Sequence, residues 1–140
     1  VEPEIIAELS SPERMSRIGG SRSAQAYKAQ LPTAMDNVGT LYNSGVRIAM
    51  GTDTGPPARF QGYFEHMEMH MMVDAGLTPL DAIRASTGVA ADCIGMGDIG
   101  TLEPGKWGDF SVLTENPAED IRNSHSMESV YVAGNLVPGE

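Results

Sequence analysis

The stretch that decides the fold reads Gly45-Val46-Arg47-Ile48-Ala49-Met50-Gly51-Thr52-Asp53-Thr54-Gly55. Its first half, 46–50, is a short apolar run with β-branched residues, which predicts a buried strand. Its second half is a tight turn that presents Asp53 just past the end of that strand. In a (β/α) barrel this end of the strands is the active face, so Asp53 is the leading candidate for a catalytic carboxylate. The alternative is an aspartate that only caps the following loop.

Helical patterns lie on both sides of this strand. Upstream, a helix is predicted from about Ser23 to Ser44, with Pro32 expected to kink or split it. A shorter helix is expected to begin at Ser11 and Pro12, a serine cap followed by proline at the first helical position. Downstream, helices are predicted at about 63–75, at 79–86 after a Thr78 cap, and at 89–94. A helix that runs through a short turn into a strand is typical of the α/β class.

The character of the chain changes near residue 97. Beyond it, strands are predicted at Phe110–Leu113 and Ser129–Val132, with a hairpin turn at Gly134-Asn135. We therefore expect two parts, 1–97 and 98–140. One parallel strand cannot form a sheet alone, and about 43 residues of β structure are too few for an independent sheet with its own core. The organisation predicts that both parts belong to a larger structure.

Composition excludes several classes of partner. The 140 residues carry 9 basic and 19 acidic side chains, a formal charge of −10. Such a surface repels nucleic acid and anionic membranes, so neither partner is expected. The sequence has no apolar run near the ~20 residues that span a bilayer, and it begins at Val1 without a signal-peptide pattern, which leaves its true start open. Cys93, its one cysteine, is read as a small buried residue. Cytoplasmic localisation is favoured but weakly constrained.

Other side chains near the turn are candidates for binding. Arg59 and Phe60 lie in the loop after the strand, where an arginine beside an aromatic ring can hold a substrate carboxylate; a solvated arginine with a packed phenylalanine is the alternative. His66 and His70 share one helical face, which permits zinc binding, yet the zinc-protease helix motif requires glutamate where Met67 stands. His66 is instead a candidate for lining the pocket of Asp53, and His125 is expected at the surface.

The order of the motifs resembles the amidohydrolase superfamily, in particular its imidazolonepropionase-like and prolidase-like branch. The segment 45–55 resembles the eighth barrel strand of that family, and 66–83 the helix that follows it. The segment 100–110 resembles the return into the small β-sandwich of the family, and 116–121 and 130–134 continue the match. The resemblance therefore implies the C-terminal fragment of a (β/α)₈ TIM barrel, with the last strand and flanking helices, plus part of a β-sandwich. One departure is Trp107-Gly108, where the family has a smaller residue and alanine.

The resemblance also implies a chemistry. The family uses one or two divalent ions, with zinc expected, to activate a water that attacks an amide, cyclic amide or dipeptide-like substrate. Asp53 matches the family aspartate that contacts the metal, accepts the proton of that water and passes it to the departing nitrogen. The remaining metal ligands of the family would lie upstream of Val1. Two alternatives remain: a non-catalytic binding or assembly module, and a small metalloprotein built on His66, His70 and a carboxylate. Exposed strand edges leave homo-oligomerisation open.

Overall fold

The computed structural model describes residues 3–55 and 60–139. Within them the chain forms two compact units, with the division between Asn37 and Val38. The first unit is helical and the second contains helices followed by a small sheet. The α/β class is thus confirmed. The boundary predicted near residue 97, which separates the barrel part from the sandwich part, stays a prediction.

The first unit contains α1 (Pro3–Leu9), α2 (Pro12–Gly19) and the beginning of α3 (Arg22–Asn43). The start of α2 after Ser11 is confirmed, with Pro12 at a position where its missing N–H costs nothing. Helix α1 was not predicted, because Pro3 was taken as a breaker although it stands at the first helical residue. Pro32 lies inside α3 without splitting it.

The segment after α3 differs from its prediction. Gly45 ends the helix with φ 78°, as expected of a left-handed cap. The run 46–50 then forms no strand ladder with any described residue. Its amides bond instead to Leu41 and Ala85, whose carbonyls accept from Val46 at 3.1 Å and from Met50 at 3.0 Å. A strand ladder needs at least one neighbouring strand to pair with, and the described residues supply none beside this segment.

Three helices follow, α4 (Tyr63–Asp74), α5 (Pro79–Ser86) and α6 (Gly88–Cys93), close to their predicted bounds. The hydroxyl of Thr78 accepts from the Asp81 amide at 3.1 Å and caps α5. These helices enclose the hydrophobic core, whose buried members are Met72, Leu77, Ala82, Ala85 and Ile121. Cys93 is exposed, so its assignment to the interior was wrong: in α6 the buried position is Ala91.

The sheet has three antiparallel strands in the order β1 (Phe110–Leu113), β2 (Met127–Val132) and β3 (Asn135–Leu136). Phe110 pairs with Tyr131, and their rings stack at 4.6 Å between centroids. The hairpin turn is centred on Ala133 and Gly134, with φ of 51° and 75°, one residue earlier than predicted. A 3₁₀ helix at Ile121–His125 joins β1 to β2 and was not predicted; it carries Ile121 into the core.

No helix in the described ranges, 3–55 and 60–139, combines the length and the apolar character needed to cross a membrane.

Candidate functional site

Asp53 lies on an exposed turn with an unusual backbone. Its φ is 51°, in the left-handed region that side chains other than glycine seldom adopt. Aspartate tolerates this region better than most residues, but such a conformation still costs on the order of 1 kcal/mol or more and persists where the surroundings impose it. The turn therefore holds the Asp53 backbone in a defined conformation, with the residue open to solvent.

The surroundings that impose this conformation come from the first turn of α4. Glu65 Oε1 accepts hydrogen bonds from the hydroxyls of Thr52 at 3.0 Å and Thr54 at 2.9 Å, the two neighbours of Asp53. Three residues further on, Glu68 Oε1 accepts from the amide of Gly51 at 3.2 Å. Two carboxylates on adjacent positions of one helical face thus bind the turn on both sides of Asp53.

The same carboxylate of Glu65 also closes the start of its own helix. Its Oε2 accepts from the amide of Gly62, the N-cap residue, at 2.5 Å. Burial acts to raise the pKa of Glu65, but its hydrogen bonds to backbone amides and to the two threonine hydroxyls act together to lower it, and the pKa is lowered from 4.5 overall. Glu65 is therefore a fixed anion at neutral pH, able to accept several hydrogen bonds at once.

A second cluster brings the three histidines of the chain together. The ring of His125 lies 4.3 Å from that of His66 and 5.1 Å from that of His70, measured between centroids. His66 Nδ1 shares a hydrogen bond of 2.9 Å with the hydroxyl of buried Ser124. Nε2 of His70 is enclosed without a hydrogen-bond partner among the described residues. The cluster joins α4 to the 3₁₀ helix.

Burial and neighbouring charges lower the pKa values of His66 and His70. Burial lowers the pKa of His66 below 6.5, and the charges of His125 and His70 lower it further, against an opposing effect of Glu65. Burial also lowers the pKa of His70, helped by His125 and Arg122. The two rings can therefore accept or donate hydrogen bonds at neutral pH without carrying charge.

The predicted site residues are distributed as follows. Asp53 stands exposed on its turn, whereas Arg59 lies outside the described residues. Phe60 is half-buried before α4, and its carbonyl accepts from the Phe64 amide at 3.3 Å. The ring contacts of His66 are with the 3₁₀ helix. The substrate-binding roles given to Arg59, Phe60 and His66 stay predictions.

Sequence reasoning missed the roles of Glu65 and Glu68. Their spacing of three, at the start of the helix that follows the Gly-Thr-Asp-Thr segment with its hydroxyl and amide donors, was a usable signal. It also missed His125 as a partner of the other two histidines, because the 3₁₀ helix that delivers it is short and has no periodic pattern. His125 is exposed, as predicted, and yet it joins the cluster.

No group of three or more histidine, cysteine, aspartate or glutamate residues in the ranges 3–55 and 60–139 is arranged to hold a metal ion. Asp53 can offer one carboxylate, which alone does not make a site. The rings of His66 and His70 lie against that of His125 in tilted and edge-on arrangements, and His66 is hydrogen-bonded to Ser124. The described residues by themselves do not fit the divalent ion that the resemblance implies.

The helices and the small sheet place this chain in the α/β class. It belongs to the amidohydrolase family, whose model matches residues 11–137. It is 36% identical over 102 residues to ochratoxinase of Aspergillus niger, a match that covers 69% of this chain and 20% of the relative. It is 31% identical over 101 residues to imidazolonepropionase of Deinococcus deserti, covering 69% of this chain and 25% of the relative.

Solved structures agree with this assignment. A crystal structure of a Xaa-Pro dipeptidase with bound methionine in the active site matches with a TM-score of 0.69 and 31% identity, covering 77% of this chain and 26% of that one. The resemblance to the imidazolonepropionase-like and prolidase-like branch is thereby confirmed. The chain spans a fifth to about a quarter of the length of these relatives.

Proposed function

We propose that this chain forms the C-terminal part of a metal-dependent amidohydrolase that cleaves a carbon–nitrogen bond with an activated water. The observation that carries the proposal is the Gly51–Gly55 turn, which holds an exposed Asp53 in a left-handed conformation ahead of α4. The family match over residues 11–137 supports it. The substrate class is an amide, cyclic amide or dipeptide-like small molecule.

The chemistry assigned to this chain is proton transfer by Asp53. An exposed carboxylate accepts one proton from an attacking water and donates it to the departing nitrogen, which leaves as an amine. The acyl carbon keeps the hydroxyl group as a carboxylic acid, which then releases its proton to solvent and becomes a carboxylate. The order of these two transfers returns Asp53 to its ionised state at the end of each cycle. Because the residues on both sides of Asp53 are hydrogen-bonded to α4, its backbone needs little reorganisation between the two steps.

The divalent ion, with zinc expected, would supply the acidity that brings a bound water toward deprotonation near neutral pH. Asp53 would contribute one ligand or hydrogen bond to that centre. Because the described residues contain no three-ligand group, the other ligands would come from elsewhere in the intact protein. A parallel barrel would in the same way supply the strand neighbours that 46–50 lacks among the described residues.

The exposed apolar side chains support placing the chain in a larger barrel. Large hydrophobic residues such as Ile6, Leu31, Leu102 and Trp107 are 50%, 44%, 68% and 54% exposed. Burying a fully exposed side chain of this kind is worth about 1.5–3 kcal/mol, so burying the exposed half of these is worth roughly half as much for each. Packing against further barrel elements would bury them, and the association of whole subunits into a homo-oligomer stays an additional proposal.

The test is an Asp53→Asn substitution in the intact protein that contains this chain, assayed with amide, cyclic amide and dipeptide substrates. The asparagine keeps the size of the side chain but cannot accept and return a proton, so kcat is expected to fall by at least about a hundredfold. Glu128→Gln, a charge-matched change at an exposed position of β2, is the control and keeps full turnover. Normal turnover in Asp53→Asn would remove Asp53 from the mechanism and favour the non-catalytic module.

A further inference from the structure

Glu65 contacts the turn in a way that singles out Asp53. A single atom, Glu65 Oε1, accepts from the hydroxyls of Thr52 and Thr54, the residues immediately before and after Asp53. Those two hydroxyl oxygens are themselves 3.3 Å apart. The two side chains that flank Asp53 therefore meet at one carboxylate oxygen. The left-handed φ of 51° at Asp53 is the conformation that this arrangement holds.

The other carboxylate contacts of α4 hold the segment around Asp53 against that helix. Glu65 Oε2 is bonded to the amide of Gly62, so its carboxylate cannot rotate without breaking the start of α4. Glu68 Oε1 holds the amide of Gly51 at 3.2 Å, which secures the entry to the turn. The turn is therefore attached at three points to one rigid helix, and α4 in turn packs into the core through Met72.

We propose that Glu65 is a positioning residue for the proton-transferring Asp53, acting through the hydroxyls of Thr52 and Thr54. This inference rests on the proposed hydrolase function for its catalytic consequence, but the conformational part stands on the geometry alone. A proton-accepting carboxylate is effective when its direction toward the reacting atoms is fixed before substrate arrives, and small misplacements reduce kcat steeply. Glu65 does not itself need to touch substrate in this role.

The conformational part is tested by NMR on the intact protein that contains this chain, using the ¹³Cα and ¹³Cβ shifts of Asp53 and the exchange rate of its amide. Glu65→Gln keeps the shape of the side chain but replaces one accepting oxygen with a donating amide, so it cannot satisfy the threonines and Gly62 together. It is expected to move the Asp53 shifts from left-handed toward random-coil values and to raise amide exchange about tenfold. Unchanged Asp53 shifts and exchange in Glu65→Gln would overturn the inference.

A pair of substitutions at Thr54 separates hydrogen bonding from packing. Thr54→Val keeps the shape and removes the hydroxyl donor, whereas Thr54→Ser keeps the donor and removes a methyl group. Thr54→Val should reproduce the effect of Glu65→Gln and Thr54→Ser should not. The Asp81 amide donates a hydrogen bond to the Thr78 hydroxyl at the start of α5. The NMR signal of this amide reports in every variant whether that helix remains folded. Equal effects of the two Thr54 variants would assign the result to packing and overturn the proposal.

The catalytic part is tested by steady-state kinetics in the intact protein. Glu65→Gln and Thr54→Val should lower kcat about tenfold or more with KM changed by less than about threefold, while Thr54→Ser stays near the unmodified rate. A kcat that Glu65→Gln leaves unchanged would overturn the positioning role. The failure of the proposed function is recognised separately, because an active Asp53→Asn variant removes the hydrolase mechanism while the NMR result still decides the role of Glu65 in the turn.

Discussion

Nδ1 of His66 lies 2.9 Å from the hydroxyl oxygen of Ser124, and this hydrogen bond links the middle of the chain to its β-rich end. His66 belongs to α4, and Ser124 to the 3₁₀ helix between β1 and β2. Ser124 is only 5% exposed, so the hydroxyl partner of this hydrogen bond belongs to a buried residue. Because Ile121 of the same 3₁₀ helix enters the hydrophobic core, the hydrogen bond and the apolar contact hold the same two elements together.

Replacing Ser124 by alanine should therefore weaken the attachment of the 3₁₀ helix to α4. The substitution leaves a half-buried ring nitrogen without its partner, a loss worth about 1 kcal/mol. Urea denaturation of the chain, followed by circular dichroism, measures the change in the free energy of unfolding. Ser111→Ala, at an exposed position of β1, is the matched control and should stay within about 0.5 kcal/mol of the unmodified chain. Equal stabilities of the two variants would contradict the structural role of the contact.

The histidine cluster makes stability depend on pH. The pKa values of His66 and His70 are lowered from 6.5 in the folded protein, chiefly by burial and then by neighbouring positive groups. The histidines of the unfolded chain then bind protons more strongly than those of the folded chain. The free energy of unfolding is therefore highest above pH 6.5 and decreases as the pH drops toward the folded pKa values. Carboxylates change stability at lower pH. Hydrogen bonds from Thr78, Tyr42 and Arg84 lower the pKa of Asp81 from 3.8 to about 2.

The measurement is the free energy of unfolding at steps between about pH 7.5 and 5. The unmodified chain should lose stability over this range, and a His66→Gln/His70→Gln double variant should show a flatter profile because its two main titrating groups are gone. A profile as steep in the double variant as in the unmodified chain would place the pH dependence outside the cluster. The contribution of Asp81 to the free energy of unfolding, by contrast, is retained above pH 3.8 and lost as the pH falls through about 2.

A close approach of two backbones in the second unit gives a third prediction. Gly39 of α3 lies against the carbonyl of Ala75, and a Cβ at position 39 would overlap that oxygen. Gly39→Ala should therefore destabilise the chain by about 1–3 kcal/mol, although alanine is the better helix former by about 1 kcal/mol. Gly97→Ala is the control, since a Cβ there meets nothing within 4 Å. If Gly39→Ala instead raised the denaturation midpoint, α3 would not approach α4 as described.

The helices and strands that could be predicted from the sequence are those with local signals. Thr78 followed by Pro79, and the short run Phe110–Leu113 after a turn-rich segment, mark their elements by local sequence. The run 46–50 shows the opposite case: its composition predicts a strand, but pairing requires partners that the described residues lack. Cys93 was misplaced for a related reason, because its burial depends on which face of the six-residue α6 meets the core.

The candidate site follows the same division. Asp53 was identified from its turn, which is a local pattern, whereas the carboxylates that hold the turn act across 11 and 17 residues of sequence, from Glu65 to Thr54 and from Glu68 to Gly51. The histidine cluster spans 58 residues between His66 and Ser124. Contacts at such separations depend on how α4 and the 3₁₀ helix pack. The sequence of either segment alone does not predict that packing.

The last prediction concerns metal binding by the 140-residue chain. Because the described residues contain no group of three ligands arranged for a metal ion, the chain should bind Zn²⁺ weakly and hydrolyse no amide substrate. Calorimetric titration with zinc chloride measures the affinity, with His66→Gln/His70→Gln as the comparison. Tight binding at one ion per chain that the double variant loses would show that the histidine cluster rearranges into a metal site, and the self-contained metalloprotein would replace the barrel fragment as the better account. Weak binding that the double variant leaves unchanged is the result that missing ligands require, and it directs the search for the metal centre to the rest of the intact protein.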